Sequence, residues 1–216
     1  METRLVDDCL CVGRKGRIEA KLNITGIEAH AGNDFASGRS AIEEVAFKIA
    51  KVRELTDLEN GTTCVATVID STKISNSFPK TCSVTFDIRF EKISEVDRVK
   101  AELEKIAAEL IIGDTTCELE YPGSMMPFET TEKGLKLHEF VSKVAKENNF
   151  GEVGKRKLGG SSDASYLTMA GVPTLCSCGV QGEWNHTLDE YAIVESLFTR
   201  AKLWATVILN LDKIDL

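Results

Sequence analysis

A chain of 216 residues with 43% apolar composition can fill one large domain or two small ones around a true core. Acidic residues number 34 against 26 lysines and arginines, for a net charge of -8, and no basic block stands out, which argues against nucleic acid and anionic membrane as partners. The start METRLVDDCLCVGRKG lacks a basic stretch followed by an apolar one, and no run approaches the roughly 18 apolar residues of a spanning helix, so the sequence reads as cytoplasmic.

In chain order, residues 17–25 alternate strictly. Ile18, Ala20, Leu22 and Ile24 share one face and Arg17, Glu19, Lys21 and Asn23 the other, the pattern of a half-buried strand. Ser40 and Glu43 form an S-x-x-E capping box, followed at helical spacing by Ile42, Val45, Ile49 and Val52 up to about Leu55. Asn60-Gly61 punctuates the chain before the short strand CVATVID, and a loop around Pro79 spans residues 75–80. Cys82, Val84, Phe86, Ile88 and Phe90 then alternate with polar residues in the clearest strand of the sequence. A second amphipathic helix carries Val96, Val99, Leu103, Ile106 and Leu110 on one stripe, and CELEY forms a further strand. Strand, helix, strand, strand, helix, strand over residues 16–122 is the order of a ferredoxin-like, split βαβ sandwich with helices on one sheet face.

The remainder predicts a helix over 131–148, a glycine-rich loop over 158–163, a buried strand GVPTLCSCG and a last helix over about 190–211. These are pieces of an α/β layer with too few strands to make a covered sheet. Seven cysteines is an odd count, which favours reduced thiols over a disulfide framework. The C-x-C pairs Cys9/Cys11 and Cys176/Cys178 could each present two sulfurs on one strand face to a soft metal, but lacking spaced C-x-x-C partners they read as small core residues.

Only three histidines are available for chemistry. His138 lies in an amphipathic helix among charged neighbours, as a surface or half-buried residue would. His30 stands in GIEAHAG, where the glycines suggest a loop that another backbone or ligand approaches closely. His186, in GEWNHTLDEY, has carboxylates nearby that could support it as a metal ligand, although one histidine in an acidic loop is a weak signal. LGGSSDASYL resembles an anion cradle but has no lysine after its glycines, so nucleotide binding fits poorly, and a helix-capping turn is the plainer alternative.

GIEAHAG ahead of a helix, the ISNSFP loop followed by a strand ending DIRF, the GGSSDAS loop, and a histidine in an acidic loop before the last helix together resemble the aminoacylase/carboxypeptidase G family of dinuclear zinc peptidases. The order and spacing match across nearly the whole chain. The resemblance implies a ferredoxin-like lid, inserted in a zinc-binding α/β catalytic domain, that makes the homodimer. The chain would divide into residues 1–15 closing the first part of the catalytic domain, 16–122 forming the lid, and 123–216 supplying the C-terminal part of the catalytic domain.

The same resemblance makes His30 the lid histidine that reaches the partner's active site and steadies the tetrahedral oxyanion. Asn76 and Arg89 become binders of the substrate carboxylate, and Gly160, Ser161 and Asp163 part of the substrate pocket. Arg89 falls on the polar face of its strand, where a free guanidinium could bind a carboxylate with two hydrogen bonds, or simply be solvated. His186 matches one zinc ligand. Glu2 resembles a ligand of the other zinc, with Thr3 standing where the family has proline.

The family's upstream H-x-D histidine, bridging aspartate and Glu-Glu pair have no counterpart here. The chain therefore reads as a truncated portion of a hydrolase acting on amide bonds next to a free carboxylate, in peptides or N-acyl amino acids. It would be inactive alone and hold the two zinc ions weakly or not at all. The alternative is a non-catalytic dimerisation or binding module derived from that family.

Overall fold

In the computed structural model, which describes residues 7–215, the elements follow in the order β1 (Cys9–Arg14), β2 (Gly16–Thr25), α1 (Ala41–Glu54), β3 (Thr63–Ser71), β4 (Thr81–Phe90), α2 (Ile93–Ala108), β5 (Thr116–Met125), α3 (Glu132–Glu147), β6 (Gly154–Leu158), α4 (Ala164–Met169), β7 (Gly182–Glu183), β8 (Tyr191–Ala192) and α5 (Val194–Leu209). They form two compact units. One is Gly16–Met126, and the other joins the described residues up to Lys15 with those from Pro127 onward.

The first unit is a ferredoxin-like sandwich. Its four strands lie in the order β3-β4-β2-β5, every neighbouring pair antiparallel. Thr25 faces Thr81 at one end of the central pair and Gly16 faces Phe90 at the other. The alternation in β2 and β4 sends Ile18, Leu22, Val84, Phe86 and Ile88 to one sheet face, where they pack with Val45 and Val52 of α1 and Val96, Val99 and Leu103 of α2. Arg17, Glu19 and Lys21 stay on the opposite, partly exposed face. Pro122 is tolerated because β5 is an edge strand and because Ala20 lies opposite a register shift that contains the proline.

Helix α1 starts where its capping box places it. The Ser40 side chain accepts from the Glu43 backbone N–H at 3.2 Å, satisfying one of the donors a helix start leaves open. Ser40→Ala should therefore lower stability by about 1 kcal/mol, measured as a shift in urea midpoint at unchanged slope.

In α1, helical spacing misassigns one position and misses two. Ile42 is 42% exposed, whereas Glu44 and Lys48 are completely buried. Lys48 Nζ sits 3.0 Å from Glu44 Oε1 and donates to the carbonyls of Ile106 and Glu109, groups that the end of α2 leaves without helical partners. Glu44 in turn accepts from the N–H groups of Ile111 and Ile112. Leu110 is likewise outside the expected stripe: α2 ends at Ala108, and the leucine is exposed beyond it.

In the second unit β1 and β6 pair in parallel, against α3 and α5. Leu10, Val141, Val144, Ala145, Val153, Leu203 and Val207 form its core, with a smaller cluster of Cys11, Phe128 and Cys176. None of the seven cysteines forms a disulfide, and burial pushes the Cys11 thiol up. His138 is buried with Nε2 2.9 Å from the Gly154 carbonyl, a structural contact.

The expected strand GVPTLCSCG does not form. Among the described residues its one ladder contact is a bridge between Cys176 and Cys11, and Ser177 at φ 60° breaks the extended backbone a strand needs. The last helix begins at Val194 rather than near Glu190, because Tyr191 and Ala192 first pair with Gly182 and Glu183. Helix α5 also keeps Val194, Leu197, Phe198, Ile208 and Leu209 exposed. Helix α5 is thus apolar on more than its buried side, beside a parallel sheet of two strands. No helix among the described residues is long and apolar enough to cross a membrane.

Candidate active site

Two loops leave the same end of the sandwich sheet, one following β2 and one preceding β4, and hydrogen-bond to each other. His30 and Ser77 form an antiparallel bridge, the Ala31 N–H donates to the Asn76 carbonyl at 2.9 Å, and the Phe78 N–H donates to the Ala29 carbonyl at 2.8 Å. Ser77 adds a hydroxyl bond to the Ala29 carbonyl. The structure thus brings His30 and Asn76 together on one exposed platform.

The His30 ring is held by its own loop. Nδ1 accepts from the N–H groups of Gly32 and Asn33, each at 3.1 Å. This network assigns the proton of the neutral ring to Nε2, so Nε2 is a hydrogen-bond donor available to an incoming oxygen. Gly38 lets the loop close: a Cβ there would lie 2.2 Å from the Phe78 ring, which also meets Phe35 edge-on. Ser77 and Phe78 match no catalytic or binding motif, so the residues that fix this platform are silent in the sequence; Gly38, within FASGRS, is the one local signal.

Arg89 is at the other end of β4. The eight steps from Thr81 at roughly 3.3 Å each put it ~26 Å along the strand from the His30 platform within the same unit. Its guanidinium is not free, since Nε and Nη2 donate to both oxygens of Asp87. Arg17 on the neighbouring strand donates to Asp87 and to Glu19. Burial alone would raise the Asp87 carboxyl, but the hydrogen bonds and charges of Arg89 and Arg17 outweigh it and hold Asp87 below the usual aspartate value.

The second unit carries the other candidates. Strands β1 and β6 run parallel, so Arg14 and Leu158 mark their carboxyl ends, the side from which open α/β sheets bind ligands. The Gly160, Ser161, Asp163 loop leaves from there. Asp163 is exposed and its side chain does not cap α4; the buried Ser162 hydroxyl does, accepting from the Ala164 N–H. Arg14, passed over in the sequence, lies against Gly160 and donates to Ser177 Oγ at 3.0 Å.

His186 is exposed at φ 68° in the turn between β7 and β8, beside a Trp184–Tyr191 edge contact. Glu2 lies outside the described residues. Among the described residues no group of three or more His, Cys, Asp or Glu side chains could hold a metal ion. They do not fit a zinc centre, for which three protein ligands are the usual minimum.

Residues 12–115 match the family described as the peptidase dimerisation domain. Carboxypeptidase G2 of a Pseudomonas species is 25% identical over 207 residues, covering 95% of this chain. The chain carries a peptidase dimerisation domain and is homologous to carboxypeptidase G2. The family match starts inside β1 and stops just before β5, the strand that completes the dimerisation domain's sheet.

Succinyl-diaminopimelate desuccinylase 2 of a Ruegeria species is 29% identical over 203 residues. The solved aminopeptidase PepT of Bacillus cereus superposes with a TM-score of 0.79 at 23% identity, covering 96% of this chain and 55% of its own. A Staphylococcus aureus tripeptidase gives a TM-score of 0.78 at 21% identity, covering 99% and 56%. These two establish the fold. The chain spans about half the length of the curated relatives it matches, 50% of carboxypeptidase G2 and 49% of the desuccinylase.

Proposed function

We propose that this chain is the dimerisation lid and the C-terminal portion of the catalytic domain of a zinc-dependent hydrolase, which cleaves an amide bond next to a free carboxylate in a peptide or N-acyl amino acid. The observation that carries this reading is the His30 ring, fixed by two backbone N–H groups with Nε2 turned outward as donor, in a chain homologous to carboxypeptidase G2. Such a donor suits the oxyanion of a tetrahedral intermediate. Asn76, on the same platform, takes the substrate carboxylate; Arg89, at the far end of β4, joins it there as the residue of the other subunit of the dimer, exchanging its Asp87 partner or sharing it. Gly160, Ser161 and Asp163 line the substrate pocket. Glu2 and His186 each supply one zinc ligand; the metal provides the activated water, and the remaining ligands and the general base come from residues outside this chain. The hydrolase works in the cytoplasm in this reading, in keeping with seven cysteines none of which forms a disulfide.

In this reading the protein is a homodimer built through the lid. Strand β3 is an unpaired edge of the sheet and exposes Val65, Val68 and Ile69, whereas the opposite edge, β5, carries Pro122 and charged residues. A long apolar edge without proline invites pairing with a second copy. Light scattering should give a dimer mass at micromolar concentration, and Val65→Lys with Val68→Lys should convert it to a monomer of unchanged circular dichroism. A monomeric parent chain, or a dimer that survives both lysines, counts against the interface.

A second reading, a non-catalytic dimerisation or binding module, is favoured by the lack of a metal-ligand group among the described residues. The coding sequence upstream decides between them. An in-frame segment with an H-x-D motif and a Glu-Glu pair supports the hydrolase, and a promoter and ribosome site directly before this chain supports the module.

A further inference from the structure

Helix α5 buries the stripe Ser196, Arg200, Leu203 and Val207, and the arginine in it is only 7% exposed. A buried guanidinium has five N–H donors to satisfy. Among the described residues, one acceptor reaches it: Asp8 Oδ1, 3.2 Å from Nη2. Gln181 Nε2 donates to the same oxygen at 3.0 Å, and its backbone is pinned by Ser196 Oγ at 2.8 Å. Arg200, Asp8 and Gln181 line a cavity of about 150 Å3, together with Asn149, Thr199 and the apolar walls of Phe150 and Leu203.

We propose that this cavity binds a small free α-amino acid. Among the described residues its walls present one fixed cation, one carboxylate and two carboxamides. A simple anion placed on Arg200 would face the Asp8 carboxylate, and a simple cation placed on Asp8 would face the guanidinium. A ligand carrying both charges gains from both: its carboxylate takes the guanidinium donors that Asp8 does not use, and its ammonium donates to Asp8 and a carboxamide oxygen. Size narrows the class further. The space of about 150 Å3 is small, so the bulk of a large side chain counts against binding. The inference stands independently of the hydrolytic reading, because binding rather than turnover is what it predicts.

Calorimetry on the full chain tests it, with glycine, alanine, phenylalanine, acetate and methylammonium as probes. Glycine and alanine should bind once per chain with a dissociation constant on the order of millimolar, phenylalanine more weakly than either, and acetate and methylammonium about tenfold or more weaker than glycine. Arg200→Gln should weaken glycine by about tenfold or more, since hydrogen bonds to a charged group are lost. Because Arg200 is buried and its variant can misfold, Thr199→Met provides an independent check: Thr199 is exposed on α5, and the longer side chain should fill the cavity and abolish binding at unchanged melting temperature. No saturable heat with glycine, equal affinity for acetate and glycine, or glycine binding that survives Thr199→Met would each overturn the proposal.

Discussion

Replacing Lys48 with methionine is expected to destabilise the sandwich by about 3–5 kcal/mol, a large share of the roughly 5–15 kcal/mol that holds a domain together. Lys48 and Glu44 are both fully buried, so removing the cation leaves the Glu44 carboxylate without a counter-charge, held only by the N–H groups of Ile111 and Ile112 among the described residues. The same change strips the Ile106 and Glu109 carbonyls at the end of α2 of the ammonium that satisfies them. The double variant Glu44→Leu, Lys48→Met should cost less than the two single changes added together, because an apolar pair leaves no unpaired charge behind. Urea unfolding of the four proteins gives the coupling directly. A loss below about 1 kcal/mol for Lys48→Met, or strict additivity, would show that the pair has little to do with docking α1 on α2.

The second large effect concerns turnover. By itself the chain should hydrolyse neither peptides nor N-acyl amino acids, since among the described residues nothing gathers a metal or a base-activated water. Supplying the part of the relatives that this chain does not span, covalently or as a separate polypeptide, should give zinc-dependent hydrolysis and cover the exposed apolar residues of α5. In that reconstituted enzyme His30→Ala should lower kcat by about 10²–10³-fold, the usual effect of removing one oxyanion donor, with zinc content unchanged. His186→Ala should lose metal and activity together. Zinc-dependent hydrolysis by the 216-residue chain alone, abolished by His186→Ala, would refute the view of it as an incomplete enzyme.

How well each element could be read follows from how local its cause is. The strands of the sandwich were plain because a two-residue period with one buried face needs no knowledge of the partner: Cys82, Val84, Phe86, Ile88 and Phe90 are buried as the alternation requires. Ser40 as a cap was equally local. The motif GVPTLCSCG misled because an apolar run announces burial, which Cys176 and Ser177 have, and not extension, which Ser177 at φ 60° denies.

By itself the sequence determined the order of elements in the sandwich, its capped first helix, and the kinship its loop motifs display. Those are properties of short windows, set by side-chain period, capping chemistry and turn residues. Only the tertiary structure decided which polar groups are buried and which partners they meet. Glu44 and Lys48 look like a surface pair at helical spacing until α2 ends against them, and Arg89 looks free until Asp87 and Arg17 are placed beside it. Nothing in GIEAHAG shows that the backbone of Gly32 and Asn33 turns back onto His30, or that ISNSFP, more than forty residues away, forms the other half of its platform. Burial of a charge and the tautomer of a ring depend on atoms distant in sequence, and long-range packing is what brings those atoms into hydrogen-bonding range.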